Sequence, residues 1–145
     1  MAGTPTQIRI LLADDDEDDR MLAKDALERG LLTNPIDEVT DGLELLDHLN
    51  GLLDREEPLP GLILLDLNMP RMDGREALAR IRENDRLRRI PVVVLTTSKA
   101  EEDVYRTYDL GVNSFISKPV TFDGLVGVMS QLGKYWLEMV VLPSS

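Results

Sequence analysis

Short apolar runs alternate along the chain with longer stretches whose apolar residues recur every three or four positions. Ile8 to Ala13 is an apolar run broken only by Arg9, and it stops at Asp14-Asp15-Asp16. From Glu17 to Arg29, Met21, Leu22, Asp25, Ala26 and Arg29 follow a helical period with one side apolar, and Gly30 suits a helix stop. A weaker strand, Ile36 to Thr40, leads into Asp41-Gly42, after which Leu43, Leu45, Leu46, Leu49 and Leu53 read as a second amphipathic helix. Residues 54–60 are polar and contain two prolines, which marks a surface connection. Leu62 to Leu65 is a continuous apolar run of strand length that ends at Asp66. A loop from Asn68 to Gly74 then leads into a third helix over Arg75 to about Arg86. Pro91 to Leu95 is dominated by β-branched valine, which favours a strand, and it ends in Thr96-Thr97-Ser98. A fourth helix is predicted over Ala100 to Leu110, a fifth strand over Ser114 to Ser117, and a last helix from near Thr121.

Strand followed by helix, repeated five times, predicts a parallel sheet covered by helices on both faces. The third and fourth strands are apolar throughout, as strands buried on both faces are. A length of 145 residues matches one domain, with a core over about 7–134 and an extended helix or tail over 135–145. The absence of cysteine excludes a disulfide framework, a thiolate zinc site and a Cys nucleophile. A net charge of −11 argues against a nucleic-acid partner, since binding to phosphate backbones relies on clustered Lys and Arg. No apolar run approaches the ~20 residues that cross a bilayer, and Met1 to Gln7 lacks a basic segment followed by an apolar one. The expectation is a cytoplasmic protein with no membrane partner.

In open parallel sheets, ligands bind outside the carboxyl ends of the strands. Those ends carry Asp14-Asp15-Asp16, Asp66, Thr96 and Lys118. Neighbouring carboxylates repel and raise one another's pKa unless a cation sits among them. Hard oxygen donors of this kind suit Mg²⁺ and leave it partly hydrated. Lys118 and Thr96 are suited to phosphoryl oxygens, and Asp66, alone at the end of the central strand, to attack on phosphorus. The reaction class this predicts is phosphoryl transfer to an aspartate. Three consecutive aspartates leave the register open by one position. Asp14 and Asp15 are favoured as the acidic pair, because Ala13 closes the strand and Asp16 then suits the helix N-cap. Asp73-Gly74 reads as a turn and helix start, and His48 as an ordinary surface residue on the second helix.

Asp14-Asp15, Asp66-Leu67-Asn68-Met69-Pro70-Arg71-Met72-Asp73-Gly74, Leu95-Thr96-Thr97-Ser98 and Phe115-Ile116-Ser117-Lys118-Pro119 together resemble the receiver domain of bacterial two-component response regulators. The resemblance spans nearly the whole chain, with four motifs in the family's order. It implies a flavodoxin-like (CheY-like) sheet of order 2-1-3-4-5, with five helices. It implies Asp66 as phosphoacceptor for a histidine kinase, and Mg²⁺ held by Asp15, Asp66 and the backbone carbonyl of Asn68, with Asp14 acting mainly through water. It further implies Thr96 and Lys118 as phosphoryl contacts, and Thr96 and Phe115 as switch residues. The only chemistry this gives the chain is its own phosphoryl transfer and self-dephosphorylation. Leu95-Thr96-Thr97-Ser98 and the ending Trp136-Leu137-Glu138 with Leu142-Pro143 look most like the single-domain regulators of phytochrome-type photoreceptor kinases.

The last helix carries an apolar stripe that continues past one sheet face, and Tyr135, Trp136 and Met139 there suit a homodimer interface. The chain stops soon after this helix, so output is expected through a downstream protein or a histidine phosphotransfer protein. Two rival classes fit less well. A haloacid-dehalogenase-like phosphatase would need Asp where Asn68 stands. A flavodoxin-like cofactor binder would need a phosphate-cradling loop where three carboxylates stand. A receiver that binds partners without phosphorylation is disfavoured by the complete set Asp14, Asp15, Asp66, Thr96 and Lys118.

Overall fold

Apolar strands that bury both faces need a cover on each side, and this chain supplies it with helices. A computed structural model describes residues 9–29, 35–96 and 114–117, together with 123, 124, 126, 127 and 130. In chain order the elements are β1 (Ile10–Ala13), α1 (Glu17–Arg29), β2 (Ile36–Val39), α2 (Gly42–Asp54), β3 (Leu62–Leu65), α3 (Gly74–Glu83), β4 (Val92–Thr96) and β5 (Ser114–Ser117). The five strands form one sheet of order β2-β1-β3-β4-β5, and every neighbouring pair is parallel. The helix expected over 100–110 lies outside the described residues, and residues 123, 124, 126, 127 and 130 are helical where the last helix was expected.

Alternation along the strands divides the core in two. Leu11, Ala13, Ile63, Leu65, Val92 and Val94 pack with Leu45 and Leu49 of α2 and with Ala77, Leu78 and Ile81 of α3. Ile10, Leu12, Leu62, Leu64 and Val93 face the other way and meet Ala23, Ala26 and Leu27 of α1, with Val126 against them. The edge strand β2 carries Asp37 and Glu38, and its charges are taken up by Arg9, Arg20 and Lys24. Charge on an edge strand discourages pairing with another sheet.

The buried face of α1 and the end of α3 differ from the expectation. On α1 the buried stripe is Ala23, Ala26 and Leu27, whereas Met21 and Leu22 are 54% and 42% exposed. Arg20 and Lys24 both reach Glu38 on β2, which turns the small-residue side of the helix to the sheet. The third helix ends at Glu83 rather than near Arg86. There the side chain of Asn84 accepts the N–H groups of Arg86 and Leu87 at 2.8 and 3.2 Å and starts a turn.

Two tight turns dock beside the carboxyl edge of the sheet. Gly42 donates its N–H to the carbonyl of Met72 at 2.8 Å. A Cβ on Gly42 would collide with that same oxygen and reach within 2.8 Å of Met72 Cγ. Arg71, held in the left-handed region at φ 64°, donates through Nε to Asp41 Oδ2 at 2.9 Å. Asp41 also caps α2, accepting the Glu44 N–H at 2.8 Å. The Arg71 guanidinium and, after it, this backbone donor hold the Asp41 carboxyl below the usual carboxylate range. A carboxyl with a lowered folded-state pKa stabilises above its unfolded value, and that stability is lost as the pH falls through the folded one. Asp41→Ala is therefore expected to cost about 1 kcal/mol of stability at neutral pH, the ordinary value of such a cap. In urea unfolding, the gap to wild type should narrow as the pH drops below about 4.

Candidate functional site: a carboxylate cluster at the carboxyl edge

The strand order reverses between β2-β1 and β1-β3, and this places the ligand crevice at the carboxyl ends of β1 and β3. Ala13 and Leu65 are paired in register, so the next residue on each strand, Asp14 and Asp66, meets at that edge. The Asp66 N–H donates to the Ala13 carbonyl at 2.9 Å, and the Asp14 N–H to the Val39 carbonyl at 3.1 Å. Both side chains are largely buried, at 3% exposure for Asp14 and 8% for Asp66. Asp14 Oδ1 accepts the Asp16 N–H at 3.0 Å, and Asp66 Oδ1 accepts the Asn68 N–H at 3.0 Å.

The acidic triplet divides between the strand end and the helix start. Asp16 Oδ1 accepts the N–H groups of Asp18 and Asp19 at 2.9 and 3.2 Å, so Asp16 caps α1. Asp14, Asp15 and Asp66 each bring a carboxylate oxygen within 4.8 Å of the other two, with Asp15 the exposed member. Asp73 accepts the Glu76 N–H at 3.0 Å and caps α3, as expected of a turn residue. His48 is on α2, its Nε2 4.0 Å from Asp37 Oδ2, and is not a member of the cluster.

Three anionic groups this close, two of them buried, repel unless a cation is shared among them. The donor set is all hard oxygen with one side open to water, and it fits Mg²⁺, which keeps part of its hydration shell.

The remaining candidates are only partly described. Thr96 ends β4 on the same edge, registered against Ser117, and Phe115 lies on β5 opposite Val94. Their backbone positions are described and their side chains are not. Lys118, Tyr135, Trp136 and Met139 lie outside the described residues. Sequence reasoning missed two contacts beside the cluster. One is the hydrogen bond from Arg20 to the Asp14 carbonyl, whose only trace in the sequence is a basic residue within an acidic helix start. The other is the Arg71–Asp41 ion pair, which joins segments 30 residues apart.

A sheet of this order with three carboxylates on its switch point defines a parallel α/β domain whose acidic edge suits a divalent cation. The chain belongs to the response regulator receiver domain family, whose model matches residues 10–130. It is 41% identical over 137 residues to response regulator Rcp1 of Synechocystis sp., covering 94% of this chain and 93% of that protein. The crystal structure of the phosphorylated cyanobacterial phytochrome response regulator RcpA superposes with a TM-score of 0.81 at 38% identity, over 91% of this chain and 95% of that one. The Mn²⁺-bound form of Rcp1 gives a TM-score of 0.80 at 38% identity, over 92% and 96%. The protein is thus a receiver of two-component signalling, resembles the phytochrome response regulators, and works with a histidine kinase. Among the described residues, no helix is long and apolar enough to cross a membrane.

Proposed function

We propose that Asp66 is the phosphoacceptor of this receiver and that Asp14, Asp15, Asp66 and the backbone carbonyl of Asn68 hold its Mg²⁺. The convergence of the three carboxylates on neighbouring strand ends is the observation that carries this reading. Mg²⁺ bound there supplies charge neutralisation for the phosphoryl oxygens. One Asp66 carboxylate oxygen forms the new bond to phosphorus while the bond from phosphorus to the donor histidine nitrogen breaks. The Asn68 N–H on Asp66 Oδ1 orients the carboxylate for this attack. Two side chains then hold the transferred group: Thr96 through its hydroxyl and Lys118 through its ammonium. Hydrolysis of the acyl phosphate by water returns the chain to its resting form.

The resemblance to phytochrome regulators supports a phytochrome-type photoreceptor kinase as donor. Output passes through protein contacts in the cytoplasm, to a downstream protein or a histidine phosphotransfer protein, with Thr96 and Phe115 reporting the phosphorylated state. Tyr135, Trp136 and Met139 form the homodimer contact, so sedimentation at micromolar concentration is expected to show a dimer. A monomer there contradicts this part.

The function itself is tested by incubation with acetyl phosphate, with Mg²⁺ or with EDTA, followed by intact mass. The expected result is one added phosphoryl group with Mg²⁺ and none with EDTA. No gain with Mg²⁺, together with no binding of beryllofluoride, overturns the proposal.

A further inference from the structure

The turn that ends β1 carries two of the site's carboxylates, and a side chain from α1 holds its backbone. Arg20 is in the early part of α1, its side chain 14% exposed. Its Nη1 donates to the carbonyl oxygen of Asp14 at 2.7 Å, and its Nε donates to Glu38 Oε1 on β2 at 3.1 Å. Lys24, one turn further on, donates to the other oxygen of the same carboxylate at 2.8 Å. Glu38 is therefore an anchor fixed from two sides. It sits on a strand whose register against β1 pairs Leu12 with Glu38 and Ala13 with Val39.

The Asp14 carbonyl belongs to the planar peptide unit that joins Asp14 to Asp15. Fixing that oxygen fixes the plane, and with it the position from which the Asp15 side chain leaves. Asp14 has further supports, from its N–H to Val39 and from the Asp16 N–H on its Oδ1. Asp15 is the exposed member of the cluster, so its placement depends on its backbone. Repulsion among the carboxylates pushes this turn open, and a donor clamped on its carbonyl opposes that. Because Glu38 neutralises the guanidinium, the contribution is geometric more than a long-range field.

We propose that Arg20 is a positioning residue for the divalent cation: it locks the Asp14–Asp15 peptide so that Asp15 meets the cation together with Asp14 and Asp66. The inference rests on the reading of these carboxylates as the Mg²⁺ site.

The probe is Mn²⁺ alone, titrated into the full chain without a phosphodonor, with free Mn²⁺ read from its electron paramagnetic resonance signal. Groups that orient metal ligands without touching the metal are worth about 10- to 100-fold in affinity. Arg20→Ala is accordingly expected to raise the Mn²⁺ Kd about tenfold or more. Glu38→Gln keeps the guanidinium but removes its charged anchor, and raises the Kd by a smaller factor. Arg9→Ala removes another ion pair to β2, Arg9–Asp37 at 2.9 Å, and leaves the Kd unchanged. Thermal midpoints in EDTA read stability separately. A lower midpoint with an unchanged Kd in Arg20→Ala makes Arg20 merely structural and overturns the proposal. Equal weakening by Arg9→Ala overturns it as well. Should Arg20→Ala fail to fold, an unchanged Kd in Glu38→Gln overturns it. A wild-type chain that binds no Mn²⁺ fails at an earlier step, the reading of the site itself.

Discussion

Asp66→Asn is expected to abolish phosphoryl uptake while leaving the chain folded. The amide has no anionic oxygen to attack phosphorus, yet its Oδ1 can still accept the Asn68 N–H that Asp66 accepts at 3.0 Å. The substitution is nearly isosteric, so the edge where the Asp66 N–H meets the Ala13 carbonyl is retained. It also removes one of three like charges whose oxygens lie within 4.8 Å of one another. Without a cation that repulsion opposes folding. The thermal midpoint of Asp66→Asn in EDTA should therefore equal or exceed that of wild type, while its intact mass stays unchanged after incubation with acetyl phosphate and Mg²⁺. A clearly lower midpoint would contradict the view that the cluster is electrostatically unfavourable when empty of metal.

The second large effect is expected at Gly74, where α3 starts against the end of β3. Its N–H donates to the Leu67 carbonyl at 2.9 Å. A Cβ there would collide with the Asp66 carbonyl oxygen and reach within 2.8 Å of Leu67 Cα. Both obstacles are backbone, so the helix start or the Asp66 segment must move. Overpacking of this kind costs about 1–3 kcal/mol, and the movement falls on the phosphoacceptor itself. Gly74→Ala is expected to lower stability by that amount in urea unfolding and to slow Mg²⁺-dependent phosphorylation as well. Gly51, inside α2, is the control: a Cβ there meets only the far end of the Arg55 side chain, at 3.0 Å from Nη1. Gly51→Ala should be neutral or stabilising, by about 0.5–1 kcal/mol from the better helix former. Equal losses at both glycines would contradict the close-approach argument.

What could be read from the sequence follows from which forces are local. The apolar runs of β1 and β3 stop abruptly at Asp14 and Asp66, and a parallel sheet brings those stops to one edge, so the cluster is legible in the sequence. Asp16 was legible as a cap and Asp73 as a turn and helix start because capping acts over three residues. The phase of α1 was not. Met21 and Leu22 suggested an apolar side, but contacts from Arg20 and Lys24 to a strand beyond the next loop set the rotation. The end of α3 was missed because a single asparagine side chain competed with the helix for backbone donors. The docking of Asp41-Gly42 on Arg71-Met72 left no local signal, since it depends on a tertiary approach of two turns.

The most direct test of the central claim is to locate the phosphoryl group chemically. After incubation with acetyl phosphate and Mg²⁺, borohydride reduction converts an aspartyl phosphate to homoserine, and peptide mass spectrometry identifies the position. The account predicts homoserine at position 66 and at no other aspartate. Homoserine at position 14, 15 or 73, with Asp66 intact, would contradict it.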